Sequence, residues 1–273
     1  MKRLSIIITG LVLCTLVVLG ALVWMVRELR RDARHRYYQS ISDQKGEEIS
    51  VTIPEGYRRE QIAALVEDKG ITGADDFMTA TSDDEGTLFP DTYRFFPSST
   101  ANEVRDRLRA VYGEKVAAIG TVDKDTLIIA SIVEREARND EERAMIAGLY
   151  WNRLKAGYSL GADPTVQYGK ETLALNEQLK TATTAAKRGA VIREFAFWQP
   201  ITRADYTGVE SPYNTYKIAT LPPGPICNPG AASITAALHP KAHQYYYFFH
   251  TGDGQTIYSK TLEEHNRNKV TYL

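Results

Sequence analysis

Glu134 and Glu136 stand two apart at the end of an apolar run, in A-S-I-V-E-R-E-A-R-N-D over residues 130–140. Carboxylic acids placed this way are the side chains of general acid–base chemistry. The apolar pattern upstream predicts a helix, capped by Asp125 or Thr126 and running to about Ala137. On a helix, residues three, four and seven apart share a face. Glu136 then shares its face with Ile129, Ile132 and Val133 and, one turn on, with Asp140. Glu134 shares its face with Ala130, Ser131 and Arg138. An apolar face and a neighbouring like charge raise a carboxyl pKa, whereas Arg138 favours ionisation of Glu134. A general acid must hold a proton near neutral pH. The phase therefore favours Glu136 as the acid and Glu134 as a structural ion pair. The same local pattern also fits two solvated helix charges.

Two further stretches carry polar tips on constrained backbone. In L-G-A-D-P-T-V-Q-Y, residues 160–168, Asp163 is expected to cap a helix, with Gln167 and Tyr168 on its first turns. An amide and an aromatic hydroxyl suit sugar or peptide recognition, and a capped core helix fits equally well. In S-P-Y-N-T-Y, residues 211–216, followed by L-P-P-G-P and N-P-G, prolines hold the chain while Tyr213 and Asn214 present polar groups. That pattern is a pocket wall or a purely structural loop. No metal is expected: His239 and His243 are four apart, but Pro240 breaks the helix that would align them, and no H-E-x-x-H or C-x-x-C occurs. Gly-rich phosphate loops and G-x-S-x-G are absent too, so no cofactor is expected.

The elements that must position these residues can be read in outline. Ile49 to Ile53 alternates as a strand and stops at a Pro54-Glu-Gly turn. Gln61 to Asp68 is a short amphipathic helix, and another begins at Asp75. The segment 85–95 is expected to pair back on the first strand, and Asn102 to Tyr112 is an amphipathic helix. After the glutamate helix, Glu141 to Leu154 forms a second, ended by Gly157. Residues 170–209 look polar and irregular, with room for short helices, and are read as an insertion. Ser233 to Leu238 is a short helix. Tyr245 to His250, then T-G-D-G, then Gln255 to Ser259 is a hairpin. A helix from Leu262 to Lys269 closes the chain.

The chain has 273 residues with a formal net charge of −1, which argues against a nucleic-acid partner. No charged residue occurs from Leu4 to Val26, enough helix to cross a hydrocarbon core of roughly 30 Å. That is longer than a cleaved leader's apolar core, so a retained single-pass anchor is expected over residues 1–26, followed by an Arg-rich stalk over 27–46. Basic residues flank both ends of the run, so charge alone leaves its orientation open. Cys14 in the span and Cys227 in a Pro/Gly loop make no disulfide framework.

Taken in order, several stretches resemble the MltG (YceG-like) family of membrane-anchored endolytic murein transglycosylases. They are I-P-E-G-Y, E-G-T-L-F-P-D-T-Y-R-F, A-S-I-V-E-R-E-A, E-R-A-M-I-A-G-L-Y-W-N-R-L-K-A-G and D-P-T-V-Q-Y. S-P-Y-N-T-Y-K-I-A-T-L-P-P-G-P-I-C-N-P-G, A-L-H-P, Y-F-F-H-T-G-D-G and S-K-T-L-E-E-H-N follow, and together they cover most of residues 47–273. The resemblance implies an α+β fold, with a small LysM-like subdomain over 47–115 and a mixed α/β catalytic domain over 116–273. It implies a single-pass protein of the cytoplasmic membrane whose catalytic domain faces the cell wall and acts on peptidoglycan glycan strands. Cleavage between N-acetylmuramic acid and N-acetylglucosamine would leave 1,6-anhydro ends and release or terminate nascent strands, alongside the peptidoglycan synthesis machinery. The family's catalytic glutamate falls on Glu136, with Glu134 in support. Asn152, Asp163, Gln167, Tyr168, Tyr213 and Asn214 become candidates for orienting sugar. A muramidase with Asp163 as second carboxylate, or a non-catalytic glycan-binding scaffold, are the alternatives. Two departures stand out: the family often has Leu-Gln where this chain has Leu160-Gly161, and many members carry an additional LysM-like segment before I-P-E-G, where this chain passes almost directly from the stalk. The 170–209 segment is also longer than the pattern implies.

Overall fold

The structure, a computed structural model, describes residues 20–32 and 46–273. Residues 20–32 form a helix, α1, in a unit that ends at Glu48, and residues 49–273 form a second compact unit. No helix among the described residues is long and apolar enough to cross a membrane. Of the expected span only residues 20–26 fall among them; the rest lies outside the described residues.

The second unit opens with β1 (Ile49–Thr52), α2 (Arg59–Asp68), α3 (Ala74–Ala80), β2 (Thr92–Phe95) and α4 (Ala101–Ile119). It continues with α5 (Lys124–Glu136), α6 (Asp140–Lys155), α7 (Asp163–Thr181), α8 (Ala185–Glu194) and the short α9 (Asp205–Gly208). α10 (Ala231–Leu238), β3 (Tyr247–His250), β4 (Thr256–Ser259) and α11 (Leu262–Tyr272) complete it. Its strands make two separate antiparallel pairs, β1 with β2 and β3 with β4. Ile49 faces Phe95 and Thr52 faces Thr92 in the first; Tyr247 faces Ser259 and His250 faces Thr256 in the second. The fold is mixed α/β and mostly helical.

α5 is the central helix. Asp123 caps it by accepting from the Thr126 amide at 2.8 Å, two or three residues before the expected Asp125 or Thr126. Every residue from Thr126 to Val133 is buried, because α10 packs on one side of the helix and α6 and α7 on others. α10 can approach closely because its buried face is Ser233, Ile234, Ala236 and Ala237. Trp151 fastens α6 to it by donating to the Ala237 carbonyl at 2.9 Å.

Three expectations are corrected here. α7 is one continuous helix through Thr181, so the start of the 170–209 segment is regular. Its buried positions include Tyr168, Glu171 and Leu175; a charged residue in an apolar slot hides the helical period from the sequence. Asp163 is not the cap: Ala162 holds that position, with Asp163 and Pro164 opening the first turn. α4 also runs on to Ile119, beyond Tyr112.

Candidate active site

Glu136 is the last residue of α5. Ala137 adopts an extended backbone, ψ 143°, so the helix stops there. Asp140 is therefore not one turn on along the same helix: Asn139 caps a new one, α6, by accepting from the Glu142 amide at 2.9 Å. The break between the two helices puts the Glu136 carboxyl at the inner edge of a cleft of about 730 Å³. Tyr150 and Arg153 of α6, Asp163 at the start of α7, Tyr206 of α9, Tyr216, strand β3 and the cleft face of α11 line the rest.

Tyr150 donates its hydroxyl to Glu136 Oε1 at 3.1 Å. Burial pushes the Glu136 carboxyl up to about 7, and Asp163 across the cleft adds to the rise, while Tyr150, Arg153 and Arg135 oppose it. The like charge that matters is thus Asp163, brought in from α7, rather than Asp140. Burial, and next the Glu136 carboxylate, raise Tyr150 well above an ordinary phenol. It stays a donor over the whole working range.

Asp163 is held on two sides. Tyr216 donates to Oδ1 at 2.6 Å and Tyr206 to Oδ2 at 3.3 Å, and the two rings pack 4.4 Å apart. Asn214 is fully buried and sets this arrangement from below: its amide donates to the Tyr206 and Val209 carbonyls at 3.1 and 3.0 Å. Its Oδ1 accepts from the Tyr216 amide at 3.1 Å. His250 Nε2 lies 3.2 Å from the Glu136 carbonyl oxygen and its Nδ1 2.8 Å from the Thr256 hydroxyl, which donates to Glu142 at 2.7 Å. β3 and β4 are thereby tied to the turn that carries Glu136.

Of the residues singled out from the sequence, the structure brings Glu136 and Asp163 together in the cleft, with Asn214 behind them. The other five do not line it. Asn152 turns its amide to the His243 and Tyr245 carbonyls at 2.9 and 3.2 Å. Gln167 donates to the Gln199 carbonyl at 3.1 Å on the surface. Tyr168 lies in the core with the Arg58 guanidinium 4.1 Å above its ring, and Tyr213 packs on Tyr168 at 4.6 Å. Glu134 accepts from the Gly230 amide at 2.9 Å and lies 3.6 Å from Arg143. It steadies the N-terminus of α10, where a carboxylate suits the helix dipole, and its cationic partner is Arg143 rather than Arg138. Tyr150, Arg153, Tyr206, Tyr216 and His250 are among the cleft residues that sequence reasoning missed, as are His265 and Lys269. A signal existed for two of them: Tyr150 and Arg153 are three apart on α6 and share a face that Asn152 does not.

Gly161 lines the same cleft at φ +53°, and a Cβ there would sit 3.3 Å from Arg153 Nη1 and 3.6 Å from the Tyr216 ring. A side chain at this position would enter the cleft beside both. The arrangement as a whole offers one protonated carboxyl, a second carboxylate already engaged by phenols, and several aromatic faces. It is suited to proton transfer on a ligand with flat apolar faces and many hydroxyls.

Residues 28–271 match the model of the YceG-like family. The chain is 33% identical to the endolytic murein transglycosylase of Bacillus subtilis (strain 168), over 69% of this chain and 48% of that protein. It is 26% identical to that of Streptococcus pneumoniae (strain R6), over 82% and 44%. The chain therefore spans about half the length of the curated relatives it matches. A 2.6 Å crystal structure of a YceG-like protein from Listeria monocytogenes superposes with a TM-score of 0.57 at 29% identity, covering 81% of this chain and 75% of that one. With most of its length matched by the family's model, and with its fold shared by a solved member, this chain belongs to the YceG-like family.

Proposed function

We propose that this protein is an endolytic lytic transglycosylase of peptidoglycan. It cleaves the bond between N-acetylmuramic acid and N-acetylglucosamine and leaves 1,6-anhydro-muramoyl ends. The observation that carries the reading is the Glu136 carboxyl, held up to about 7 at the edge of an aromatic-lined cleft. Glu136 protonates the glycosidic oxygen as the C1–O bond breaks and positive charge gathers at the ring. The C6 hydroxyl then attacks C1, and the Glu136 carboxylate takes back the proton. No water is consumed and the acid is regenerated. Asp163 needs to be no nucleophile here. Held by two phenols, it keeps Glu136 protonated and offers negative charge near the developing cation.

In this reading the apolar run from Leu4 to Val26 anchors the chain once in the cytoplasmic membrane, with the catalytic part outside. Residues 47–115 act as a LysM-like subdomain beside the catalytic part over 116–273, and the enzyme works on strands supplied by the peptidoglycan synthesis machinery. A hydrolase is the second reading, since Asp163 shares the cleft with Glu136. Mass spectrometry of digested murein tests both. Anhydro ends from the wild type and from Glu134→Gln, but not from Glu136→Gln, are the expected result. Reducing ends without anhydro products would sink the transglycosylase in favour of the hydrolase.

A further inference from the structure

The cleft carries charges of both signs: Arg153, His265 and Lys269 line it together with Glu136 and Asp163. Arg153 is fixed by donating to the Tyr246 carbonyl at 2.6 Å and to the Leu160 carbonyl, with its guanidinium 5.3 Å from the Tyr247 ring. Tyr247 in turn stacks on His265 at 5.4 Å. Lys269 follows His265 by one helical turn on α11, on the same face. Among the described residues, no carboxylate lies within ion-pairing reach of Lys269 or Arg153. His265 is 9% exposed, yet its Nδ1 is buried without a hydrogen-bond partner. Its imidazole is held below the ordinary range by burial, with Lys269 and Arg153 adding to the effect. Glu136 acts on Arg153 through space without forming an ion pair with it.

We infer that Arg153, His265 and Lys269 form a subsite for a carboxylate carried by the sugar strand, which would set how the strand lies against Glu136. This rests on the glycan reading given above and names what the strand must carry. Two sources share that chemistry. A muramoyl residue stripped of peptide bears a lactyl carboxylate, and an intact one bears carboxylates on its peptide. A chitin-type oligomer of N-acetylglucosamine bears neither.

Binding, rather than turnover, separates the cases. The full chain carrying Glu136→Gln is titrated by calorimetry with peptide-bearing strand fragments, amidase-stripped fragments and N-acetylglucosamine oligomers. Lys269→Gln and His265→Gln are each expected to weaken binding of at least one carboxylate-bearing ligand, by roughly three- to tenfold for a charge-assisted contact at a cleft rim. Binding of the carboxyl-free oligomer should not change. The loss should shrink in high salt. Lys269 is exposed, so its variant folds even where that of the buried histidine does not. Equal effects on all three ligands, or on none, would overturn the subsite while leaving the glycan reading intact. Binding of none of the three by the parent would overturn both.

Discussion

At the scale of the residue, one carboxyl carries two measurable consequences. Glu136 titrates near 7 in the folded chain against an ordinary value of 4.5. The unfolded chain releases this proton first, so between those values stability falls as pH rises. Glu136→Gln, which cannot ionise, should therefore gain thermal stability over the wild type at pH 8 more than at pH 4, in parallel melts. The same variant should lose about 10²- to 10⁴-fold in turnover, the usual worth of general acid–base catalysis. Asp163 raises the Glu136 pKa, so Asp163→Asn should move the alkaline limb of the kcat/KM profile to lower pH. An unmoved limb would remove Asp163 from that role. How legible this was in the sequence differs by residue. Helical phase separates Glu136 from Glu134, because that depends only on local geometry. It misplaces the neighbouring charge, because Asp140 belongs to a new helix and Asp163 arrives from 27 positions away.

At the scale of the element, the site depends on how closely helices and loops can approach. Gly148 on α6 has the Lys241 carbonyl oxygen 2.3 Å, and His243 Nε2 2.9 Å, from where a Cβ would be. His243 is itself fixed there, with Nε2 2.8 Å from the Met145 carbonyl oxygen. Gly148→Ala should therefore cost about 1–3 kcal/mol, the range for overpacking a filled interior, measured by urea denaturation. A loss under 0.5 kcal/mol, roughly the scatter of harmless surface changes, would show that the 241–243 segment yields. The hairpin, the first strand pair and most helices were readable, since each follows from a short periodic pattern and its turn. The second half of α7 was not, because Glu171 fills a core slot by pairing with Arg58 at 3.2 Å. Charge in a helix stripe reads as surface until its partner is known.

At the scale of the whole molecule, that partner explains how the start of α2 is joined to α7, more than a hundred positions on. Arg58 is fully buried at the start of α2. It donates to Glu60 at 3.1 Å, to Glu171 at 3.2 Å and to the Thr172 hydroxyl at 2.8 Å, over the face of Tyr168. Glu85 nearby is pushed up to about 8 by burial and by Glu60. Removing the guanidinium would leave carboxylates buried without compensation, so Arg58→Met should destabilise by about 3–5 kcal/mol. Residues 49–273 form one compact unit, so denaturation of that unit should show one transition with coincident probes. The sequence by itself determined the local elements, the ordered motifs of the YceG-like family and the preference for Glu136, all of which rest on spacing along one chain. Tertiary structure alone decided that Asp163, Tyr150, Tyr216 and His250 share a cleft with that carboxyl, while Tyr168 lies under Arg58 with Tyr213 packed against it. Which polar tips face a cleft and which face the core depends on contacts between distant segments, and no local period encodes them.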